Sequence, residues 1–367
     1  MGNKIIVVNA TALNMGGAKT ILTQFLKNIT ENNHYIVFVD KVDSDFNILS
    51  NVKYYEVSCN NWARRIIWDV HGLAAFLKKN KIKPDLIISL QNTSVGCLNN
   101  KHQLIYLHQP IPFSPGKWSP FKKSENKLFL YKHFYSFFIS IFLKKTDHIV
   151  VQTQWMKDAV KRRSWVFPKN VHVIKPSIGM DIKSNTDKRI IKDDYIFYPA
   201  SAVSYKNHQV LAKSIALLND HIKVKLAVSI SVGDSKEFDQ LIKKLNISEN
   251  IIYLGYQDKN AMSNLYQHSQ LVVFPSKLET FGLPLSEAAS MGKYIIAAEA
   301  SYSREVLNGY ASVQFCDPDD EEQWSLALRS VLGRKLDIKP LEIKYESGWK
   351  DFFNLIESIL CSNQKNY

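Results

Sequence analysis

The chain has 367 residues, of which 46% are hydrophobic and 22% are charged. This length and hydrophobic content predict two globular domains with buried cores, and they exclude a disordered or fibrous protein. The formal net charge of +13 predicts an anionic partner, which leaves nucleic acid, an acidic membrane surface and an anionic substrate open. The four cysteines are scattered without a C-x-x-C pair, which argues against a zinc ribbon or disulfide scaffold and suits a reducing cytosol.

Strand-like and helix-like segments alternate through the first half of the chain. The N-terminal residues M-G-N-K-I-I-V-V-N are interpreted as a first buried strand and not as a signal peptide. Gly16 and Gly17 precede an apolar run with helical spacing, so they predict a glycine turn whose backbone N–H groups can approach a phosphate. Further strands are predicted at 34–39, 52–57, 84–90, 104–107 and 147–151, with an amphipathic helix at 62–79. This rhythm predicts a parallel sheet with helices on both faces.

His108 follows the predicted strand 104–107 in the sequence H-Q-P. Ligands of parallel α/β sheets bind outside the carboxyl ends of the strands, so this histidine is placed to meet a ligand. The alternative is a histidine whose ring is satisfied by a neighbouring backbone carbonyl. The sequence leaves both interpretations open.

A basic aromatic segment carries most of the charge excess, with eleven Lys/Arg against three Asp/Glu between Lys117 and Arg163. Its apolar centre, residues 128–143, is shorter than the roughly 20 residues needed to span a bilayer. The segment is interpreted as a helix that lies in an anionic membrane interface, with aromatic side chains among acyl chains and lysines on lipid phosphates. The alternative is a core helix of the first domain with a solvated lysine face.

The second half begins after a polar stretch at 181–194, which is interpreted as a linker. The predicted domains are 1–180 and 195–335, followed by a C-terminal helical segment at 336–367. Lys206 stands where the strand at 195–199 leads into a helix, so it either points its charge at a ligand or is an ordinary surface lysine. Strands are predicted at 223–230, 251–254, 271–274, 294–297 and 312–315. The acidic sequence D-P-D-D at 317–320 is interpreted as a helix cap and not as a metal site.

The most informative stretch is S-K-L-E-T-F-G-L-P-L-S-E at 276–287, which predicts a strand, a loop and a helix N-terminus. Glu279 falls in the loop and Glu287 in the helix, on either side of the backbone N–H groups of Phe281, Gly282 and Leu283. A helix N-terminus holds a phosphate, and carboxylates accept hydrogen bonds from sugar hydroxyls. The stretch therefore predicts a site for a sugar joined to phosphate. The alternative is an ordinary strand-to-helix turn with solvated acids.

The sequence E-T-F-G-L-P-L-S-E resembles the E-x7-E signature of the retaining, nucleotide-sugar-dependent glycosyltransferases of glycosyl transferases group 1. The resemblance implies the GT-B fold, an α/β architecture of two Rossmann-like doubly wound domains facing across a cleft, with the C-terminal helix crossing back to the first domain. It also implies that Glu287 holds the ribose hydroxyls of the donor and Glu279 meets hydroxyls of its sugar. The amides of Phe281, Gly282 and Leu283 would lie against the sugar and the diphosphate.

The same resemblance implies roles for six other residues. Lys206 would contact the donor diphosphate, and Ser201 stands where many members carry an arginine for the same group. His108 would lie close to the donor sugar and the reacting phosphate, which makes it a catalytic candidate together with Glu279 and Lys206. Tyr256 follows a turn near the nucleotide base, although it could equally be a packing residue. The turn at Gly16 and Gly17 would face the donor across the cleft.

The predicted function is retaining transfer of a sugar from a nucleotide sugar to a lipid-linked saccharide acceptor, in bacterial O-antigen or another surface polysaccharide. The resemblance implies that no metal is needed, and no separate cofactor is expected, because the nucleotide sugar is the substrate. The expected location is the cytoplasmic face of the inner membrane, as a peripheral protein on the anionic inner leaflet, and no nucleic acid partner is expected. The alternatives are a non-catalytic basic membrane- or nucleic-acid-binding protein and an epimerase or phosphorylase that acts on the same donor. A P-loop and a G-x-G-x-x-G motif are both missing from the sequence, which argues against a kinase or dehydrogenase.

Overall fold

The computed structural model describes residues 4–44, 46, 49–59, 61–96, 102–164, 168–177, 188–218, 224–334, 338–341 and 348–364. The chain forms two compact units, the first made of 1–177 with 345–367 and the second of 178–344. Residues 181–187 of the predicted linker lie outside the described residues. Cys97 lies outside them as well.

The first unit contains a seven-stranded parallel sheet in the order β3-β2-β1-β4-β5-β6-β7. The strands are β1 Ile5–Ala10, β2 His34–Val39, β3 Val52–Glu56, β4 Leu86–Ser89, β5 His102–Leu107, β6 His148–Val151 and β7 Val171–Val173. The sequence analysis did not predict β7, because a three-residue V-H-V segment is too short to show strand periodicity. Its pairing with β6 extends the sheet by one edge strand.

The helices before the second unit are α1 Gly16–Lys27, α2 Trp62–Ile67, α3 Leu73–Lys79, α4 Asn126–Ser140 and α5 Gln154–Lys161. The single helix predicted at 62–79 is interrupted, because a π-helical turn at Trp68–Gly72 separates α2 from α3. Such wide turns commonly occur at functional sites. The turn places Asp69 in the interior of the unit, where its side chain is buried.

The second unit repeats this architecture with a six-stranded parallel sheet in the order β10-β9-β8-β11-β12-β13. Its strands are β8 Tyr195–Tyr198, β9 Lys225–Val228, β10 Ile251–Tyr253, β11 Leu271–Phe274, β12 Ile295–Ala298 and β13 Val313–Cys316. Its helices are α6 His208–Ala216, α7 Lys236–Lys244, α8 Lys259–His268, α9 Leu283–Ser290, α10 Ser301–Val306 and α11 Glu321–Val331. Asp320 accepts a hydrogen bond from the backbone N–H of Gln323 at the start of α11, so the predicted helix cap is confirmed.

The last helix, α12 Trp349–Gln364, packs within the first unit. Trp349 stacks on Tyr106 of β5 with ring centroids 5.7 Å apart, and its Nε1 donates to Gln24 of α1 at 2.9 Å. Phe352 and Ile356 are fully buried in the same core cluster. This cluster lies against the sheet together with α1, while Leu73 and Leu77 of α3 belong to a separate cluster.

In each sheet the order of successive strands reverses at one point, between β1 and β4 in the first unit and between β8 and β11 in the second. The order outward from that point is that of a doubly wound Rossmann fold, in which ligands bind beyond the carboxyl ends of the strands at the switch point. The predicted fold class of two Rossmann-like domains is therefore confirmed. Among the helices described, none combines the length and hydropathy required to cross a bilayer.

Candidate active site

Gly282 determines how the chain passes from β11 into α9. It is the N-cap of α9 and adopts φ +85°, in the left-handed region that favours glycine. A Cβ at this position would also meet the ring of Tyr302 at 3.3 Å. The first amides of a helix have no partner within the helix, so the turn presents the amide groups of the Phe281–Leu283 segment at the carboxyl end of β11.

Lys206 and Glu279, which are 73 positions apart in the sequence, form an ion pair in the second unit. Lys206 ends a short 3-10 turn after β8, and Glu279 lies in the loop after β11, so the pair lies at the switch point of this sheet. Both side chains are largely covered, at 15% and 14% exposure. The structure brings together these two sequence-predicted residues and excludes the interpretation of Lys206 as an ordinary surface lysine.

Aromatic side chains surround this ion pair. The Lys206 ammonium lies 5.6 Å from the ring centroid of Tyr205 and 5.8 Å from that of Phe274. Burial raises the pKa of Tyr198 and Tyr302, and the negative charge of Glu279 raises both further. The carboxylate therefore lies in a setting of low polarity, where its interaction with a cation is strong.

The backbone around Lys206 is held by a neighbouring asparagine. Asn207 adopts φ 59°, a conformation that asparagine tolerates better than most residues. Its side chain donates to the carbonyl oxygen of Pro318 at 2.6 Å, and the hydroxyl of Tyr198 donates to the carbonyl oxygen of Lys206. These contacts fix the turn that carries the lysine.

Glu287 lies on α9 and accepts a hydrogen bond at Oε2 from the hydroxyl of Tyr266, 3.0 Å away. Burial raises the pKa of Glu287, while the hydrogen bond from Tyr266 and the charge of Lys259 lower it. Tyr266 thus orients the carboxylate through one of its two oxygens. The sequence analysis missed Tyr266, because its position on α8 shows only the apolar spacing of a helix.

Ser201 and Tyr256 are both exposed in the second unit. Ser201 lies in the loop between β8 and Lys206. Tyr256 is 87% exposed, which excludes the packing alternative. Gly255 before it adopts φ +67°, so the turn after β10 needs a glycine there. The proposed contacts of Ser201 and Tyr256 with the donor stay predictions.

His108 lies in the first unit, directly after β5. Its Nε2 is 2.9 Å from the carbonyl oxygen of Leu90, and its backbone N–H donates to Oδ1 of Asn92 at 2.6 Å. A carbonyl can only accept, so Nε2 carries the proton. Burial lowers the pKa of His108 to about 4, so the ring is neutral at pH 7 and Nδ1 is an acceptor. The ring thus contacts a backbone carbonyl, as the alternative interpretation of His108 expects. The catalytic role of His108 stays a prediction.

Gly16 and Gly17 occupy the first two positions of α1, at the start of the helix that the apolar run predicted. Gly16 adopts φ +55°, and a Cβ at either position would have open space around it. The conformation at Gly16 therefore requires a glycine. The space around both residues leaves the backbone open to a ligand.

Four buried polar residues form what we call the Asp69 cluster, and the sequence analysis missed all of them. The carboxylate of Asp69 accepts from Asn9 Nδ2 at 2.8 Å, from Gln91 Nε2 at 2.6 Å and from Thr93 Oγ1 at 2.6 Å. Asn9 lies on β1, and Gln91 and Thr93 follow β4. The cluster therefore lies at the switch point of the first sheet. Burial raises the pKa of Asp69, and the three hydrogen bonds offset part of that effect.

Gln91 connects the Asp69 cluster to the two sequence-predicted parts of the first unit. Its Oε1 accepts from Thr11 Oγ1 at 3.1 Å and from the backbone N–H of Ala12 at 3.0 Å, in the loop that leads to Gly16. The next residue, Asn92, binds the backbone of His108. One loop after β4 thus positions both the glycine turn and the histidine.

Helix α4 has one buried and one exposed apolar side. Leu128, Tyr135 and Ile139 are buried. The other side forms what we call the exposed α4 stripe, whose residues are between 44% and 57% exposed. These residues are Leu130, Phe134, Phe137 and Ile141. One side of α4 therefore packs in the core, as the core-helix alternative expects, whereas the opposite side exposes apolar side chains in place of a solvated lysine face.

Metal binding has no candidate among the residues that the structure describes. Within them, no three or more His, Cys, Asp or Glu side chains gather in an arrangement that could hold an ion. The carboxylates described above pair with Lys206, Tyr266 and the Asp69 cluster.

Two family models together match most of this chain. Residues 15–181 match the model described as Glycosyltransferase Family 4, and residues 182–345 match the model described as Glycosyl transferases group 1. Two Rossmann-like domains with these matches define a GT-B glycosyltransferase. The chain belongs to the glycosyltransferases that these two family models describe.

Among curated proteins, the chain is similar to the O-antigen chain mannosyltransferase RfbU of Salmonella typhimurium. The two are 22% identical over 291 residues, which cover 78% of this chain and 74% of the relative. Protein CapJ of Staphylococcus aureus is 30% identical over 135 residues, which cover 36% of this chain and 34% of CapJ.

Solved structures show the same fold. WaaG, a glycosyltransferase involved in lipopolysaccharide biosynthesis, matches with a TM-score of 0.69 and 14% identity over 90% of each chain. HepE of Anabaena, in complex with UDP and glucose, matches with a TM-score of 0.63 and 14% identity over 90% of each chain. The lipopolysaccharide outer core galactosyltransferase WaaB matches with a TM-score of 0.60 and 17% identity, over 97% of this chain and 99% of WaaB.

Proposed function

We propose that this glycosyltransferase is retaining and metal-independent, and that it moves a sugar from a nucleotide sugar to a lipid-linked saccharide in bacterial surface polysaccharide assembly. The observation that carries the proposal is the Lys206–Glu279 ion pair at the switch point of the second sheet. Glu279 lies in the connection that leads from β11 to the N-terminus of α9, and Glu287 lies on α9 itself. This set of groups fits a sugar, a diphosphate and a ribose.

In the donor complex, the diphosphate lies against the amides at the start of α9 and is neutralised by Lys206. The oxygen of Glu287 that Tyr266 does not engage accepts from a ribose hydroxyl. Glu279 accepts from hydroxyls of the sugar once the diphosphate competes for its lysine. The binding energy of these remote groups orients the anomeric carbon for attack.

During transfer, negative charge develops on the leaving nucleotide, and Lys206 with the amide dipoles stabilises it. The donor's own phosphate takes the proton of the acceptor hydroxyl on the face that the acceptor attacks, so the anomeric configuration is retained. This route needs no carboxylate base. His108 is neutral at pH 7, and in this proposal it serves the reaction as a hydrogen-bond acceptor through Nδ1.

The acceptor belongs to the first unit in this proposal. The exposed α4 stripe and the basic residues around it are suited to the surface of an anionic membrane, with the stripe among acyl chains. The names of RfbU and WaaG refer to O-antigen and lipopolysaccharide, which supports an acceptor of that class here. The protein would then work as a peripheral protein on the cytoplasmic face of the inner membrane.

Calorimetry with a panel of UDP-, GDP- and ADP-sugars tests the donor site in the wild type, Glu287→Ala and a control, Glu322→Gln. Glu322 is exposed on α11 and is not assigned to the donor site. We expect one nucleotide class to bind, with about tenfold or greater loss of affinity in Glu287→Ala and none in Glu322→Gln. If folded wild type binds no nucleotide sugar, the proposed function is wrong.

Product analysis separates transfer from the alternatives. An epimerase converts the donor without any acceptor, and a phosphorylase needs inorganic phosphate. A transferase forms a new glycoside only with a saccharide acceptor, and chelation of metals leaves its rate unchanged. The coupling of the anomeric proton in that glycoside reports retention or inversion.

A further inference from the structure

Two loops touch at the carboxyl ends of β9 and β10 in the second unit. The backbone N–H of Gly255, after β10, donates to the carbonyl oxygen of Ile230, after β9, at 3.0 Å. A Cβ on Gly255 would lie 3.0 Å from Oγ of Ser231. We call residues 230–234 and 255–256 the β9–β10 edge. Ligands of doubly wound sheets bind beyond strand ends of this kind.

The loop after β9 is held from the body of the unit by Asp239 of α7. One oxygen of this carboxylate accepts from the backbone N–H of Gly233 at 2.8 Å, and the other accepts from the hydroxyl of Tyr253 at 2.7 Å. Gly233 adopts φ +94°, and a Cβ there would have open space around it. The loop is therefore fixed on one side, while the other side is open to a ligand.

The same loop presents a second carboxylate, that of Asp234, which is exposed. Its Oδ2 accepts from the backbone N–H of Ser231 at 2.7 Å, which fixes the orientation of the side chain. Within the part of the chain that the structure describes, Oδ1 makes no hydrogen bond. A carboxylate oxygen accepts hydrogen bonds. The β9–β10 edge thus offers an oriented acceptor to a ligand with N–H groups.

Each of the two touching loops also exposes an apolar side chain. Tyr256 is 87% exposed and Val232 is 72% exposed. Aromatic side chains stack on the flat faces of nucleic acid bases. A stacking surface beside an oriented acceptor suits a flat ring that carries N–H groups on one edge.

The β9–β10 edge lies near the carboxylate that the proposed function assigns to the ribose. Helix α8 begins at Lys259, three residues after Tyr256, and the charge of Lys259 lowers the pKa of Glu287. Tyr266 of the same helix donates to Glu287 at 3.0 Å. One helix therefore connects the exposed tyrosine to the ribose site. A base on a ribose at Glu287 can reach this edge.

The hydrogen-bonding edges of the bases decide which of them a carboxylate selects. Guanine presents two neighbouring donors, N1–H and the N2 amino group. Uracil places its single N3–H between two carbonyl oxygens, whereas adenine and cytosine place their amino group beside an acceptor nitrogen. These three bases would bring an acceptor against the carboxylate, which is repulsive. A site of this kind therefore favours guanine over the other bases.

We propose that the β9–β10 edge binds guanine, with Tyr256 stacked on the base and the carboxylate of Asp234 accepting from N1–H and the N2 amino group. The inference rests on the proposed function for the presence of a nucleotide, and it names the class of donor as a guanosine diphosphate sugar. Asp234 is then a specificity residue that takes no part in the transfer step.

Calorimetry of the full chain with GDP, IDP, UDP and ADP tests the assignment, because IDP differs from GDP only in lacking the N2 amino group. Asp234→Asn keeps an oxygen for the N–H of Ser231 but turns an amide donor towards the base. The matched control is Asp258→Asn, which removes a neighbouring charge. Asp258 follows Tyr256 by two residues and accepts from the N–H of Ala261 at 2.8 Å.

We expect the wild type to bind GDP about tenfold more tightly than IDP, and about 10²-fold more tightly than UDP or ADP. Asp234→Asn should lose about tenfold or more of the GDP affinity and should no longer separate GDP from IDP. Tyr256→Ala should weaken GDP and IDP by the same factor, because stacking does not depend on the amino group. Asp258→Asn should bind GDP as the wild type does.

Tighter binding of UDP or ADP than of GDP would overturn the inference, and so would an unchanged GDP affinity in Asp234→Asn. An equal loss in Asp234→Asn and Asp258→Asn would do the same, since it would indicate a general effect of charge. Binding of IDP by Asp234→Asn shows that this variant is folded.

The inference and the proposed function fail in different experiments. A chain that binds UDP- or ADP-sugars through Glu287 and forms a glycoside retains the proposed function and loses this inference. A chain whose GDP affinity depends on Asp234, but which forms no glycoside with any saccharide acceptor, retains the inference and loses the proposed function.

Discussion

At the scale of single residues, Lys206 and Glu279 connect the fold most directly to transfer. The resemblance assigned each of them a ligand, but their mutual ion pair depends on the adjacency of β8 and β11, which residue spacing does not reveal. In the absence of donor, the lysine neutralises a carboxylate in a setting of low polarity. In the proposed mechanism, binding of a diphosphate exchanges one anionic partner of the lysine for another.

Lys206→Met keeps the length of the side chain and removes its charge. We expect transfer to slow by about 10²–10³-fold, because a charge that stabilises the leaving group is lost. Stability should fall by about 1–3 kcal/mol, because Glu279 is left covered without its partner. Urea titration and initial rates measure the two effects.

The double variant Lys206→Met/Glu279→Gln separates the effect on stability from the effect on the transfer rate. It should regain most of the stability, since no unpaired charge remains, while transfer stays slow. A double variant that transfers at the wild-type rate would show that the pair serves the fold alone.

At the scale of elements, the long apolar segments were predictable and the irregular ones were not. Apart from β7, the strands of both sheets follow from runs such as L-V-V-F at 271–274, whose short length and closing proline favour a buried strand over a helix. The π-helical turn at Trp68–Gly72 leaves the apolar pattern of 62–79 intact. Periodicity alone therefore predicts one continuous helix there. The Asp69 cluster went unnoticed because its members come from three separate segments.

Asp69→Asn tests whether the Asp69 cluster positions His108 and the glycine turn. The amide keeps the shape of the carboxylate, but Thr93 loses an acceptor and must reorient. We expect a stability loss of about 1–3 kcal/mol and a lower kcat, with unchanged affinity of the second unit for the free nucleoside diphosphate.

Asp351→Asn is the matched control, because Asp351 is exposed on α12. Calorimetry measures the affinity for the nucleoside diphosphate, urea titration measures stability, and initial rates give kcat for each variant. Equal kcat in Asp69→Asn and the wild type would limit the cluster to a structural role.

At the scale of the whole molecule, buried histidines connect stability to pH. Burial lowers the pKa of His108, His148 and His208 to about 4, against an ordinary value near 6.5. The unfolded chain therefore binds protons first as the pH falls. The stability contributed by the neutral rings is complete above about pH 6.5 and is lost between that pH and about 4.

We expect the urea midpoint to be constant above about pH 7 and to fall below about pH 6.5. Protonation of Asp69 and Asp147, whose pKa burial raises, opposes this fall, so the informative quantity is a difference between proteins. His148→Gln removes one of the histidines whose pKa is lowered, a group that also includes its hydrogen-bond partner His172, and its midpoint should fall less steeply than that of the wild type. If the urea midpoints of the two proteins depend on pH in the same way, the contribution assigned to His148 is wrong.

The position of α12 has a consequence for how the protein is made. All residues of the second unit, 178–344, are synthesised before the last segment of the first unit. The core of the first unit is completed only when Trp349 and Phe352 have been synthesised. Until then, Phe25 and Tyr106 lack the aromatic rings that cover them in the finished protein. The part synthesised first is thus the last to mature, and during that interval its open apolar surface is a natural target for chaperones.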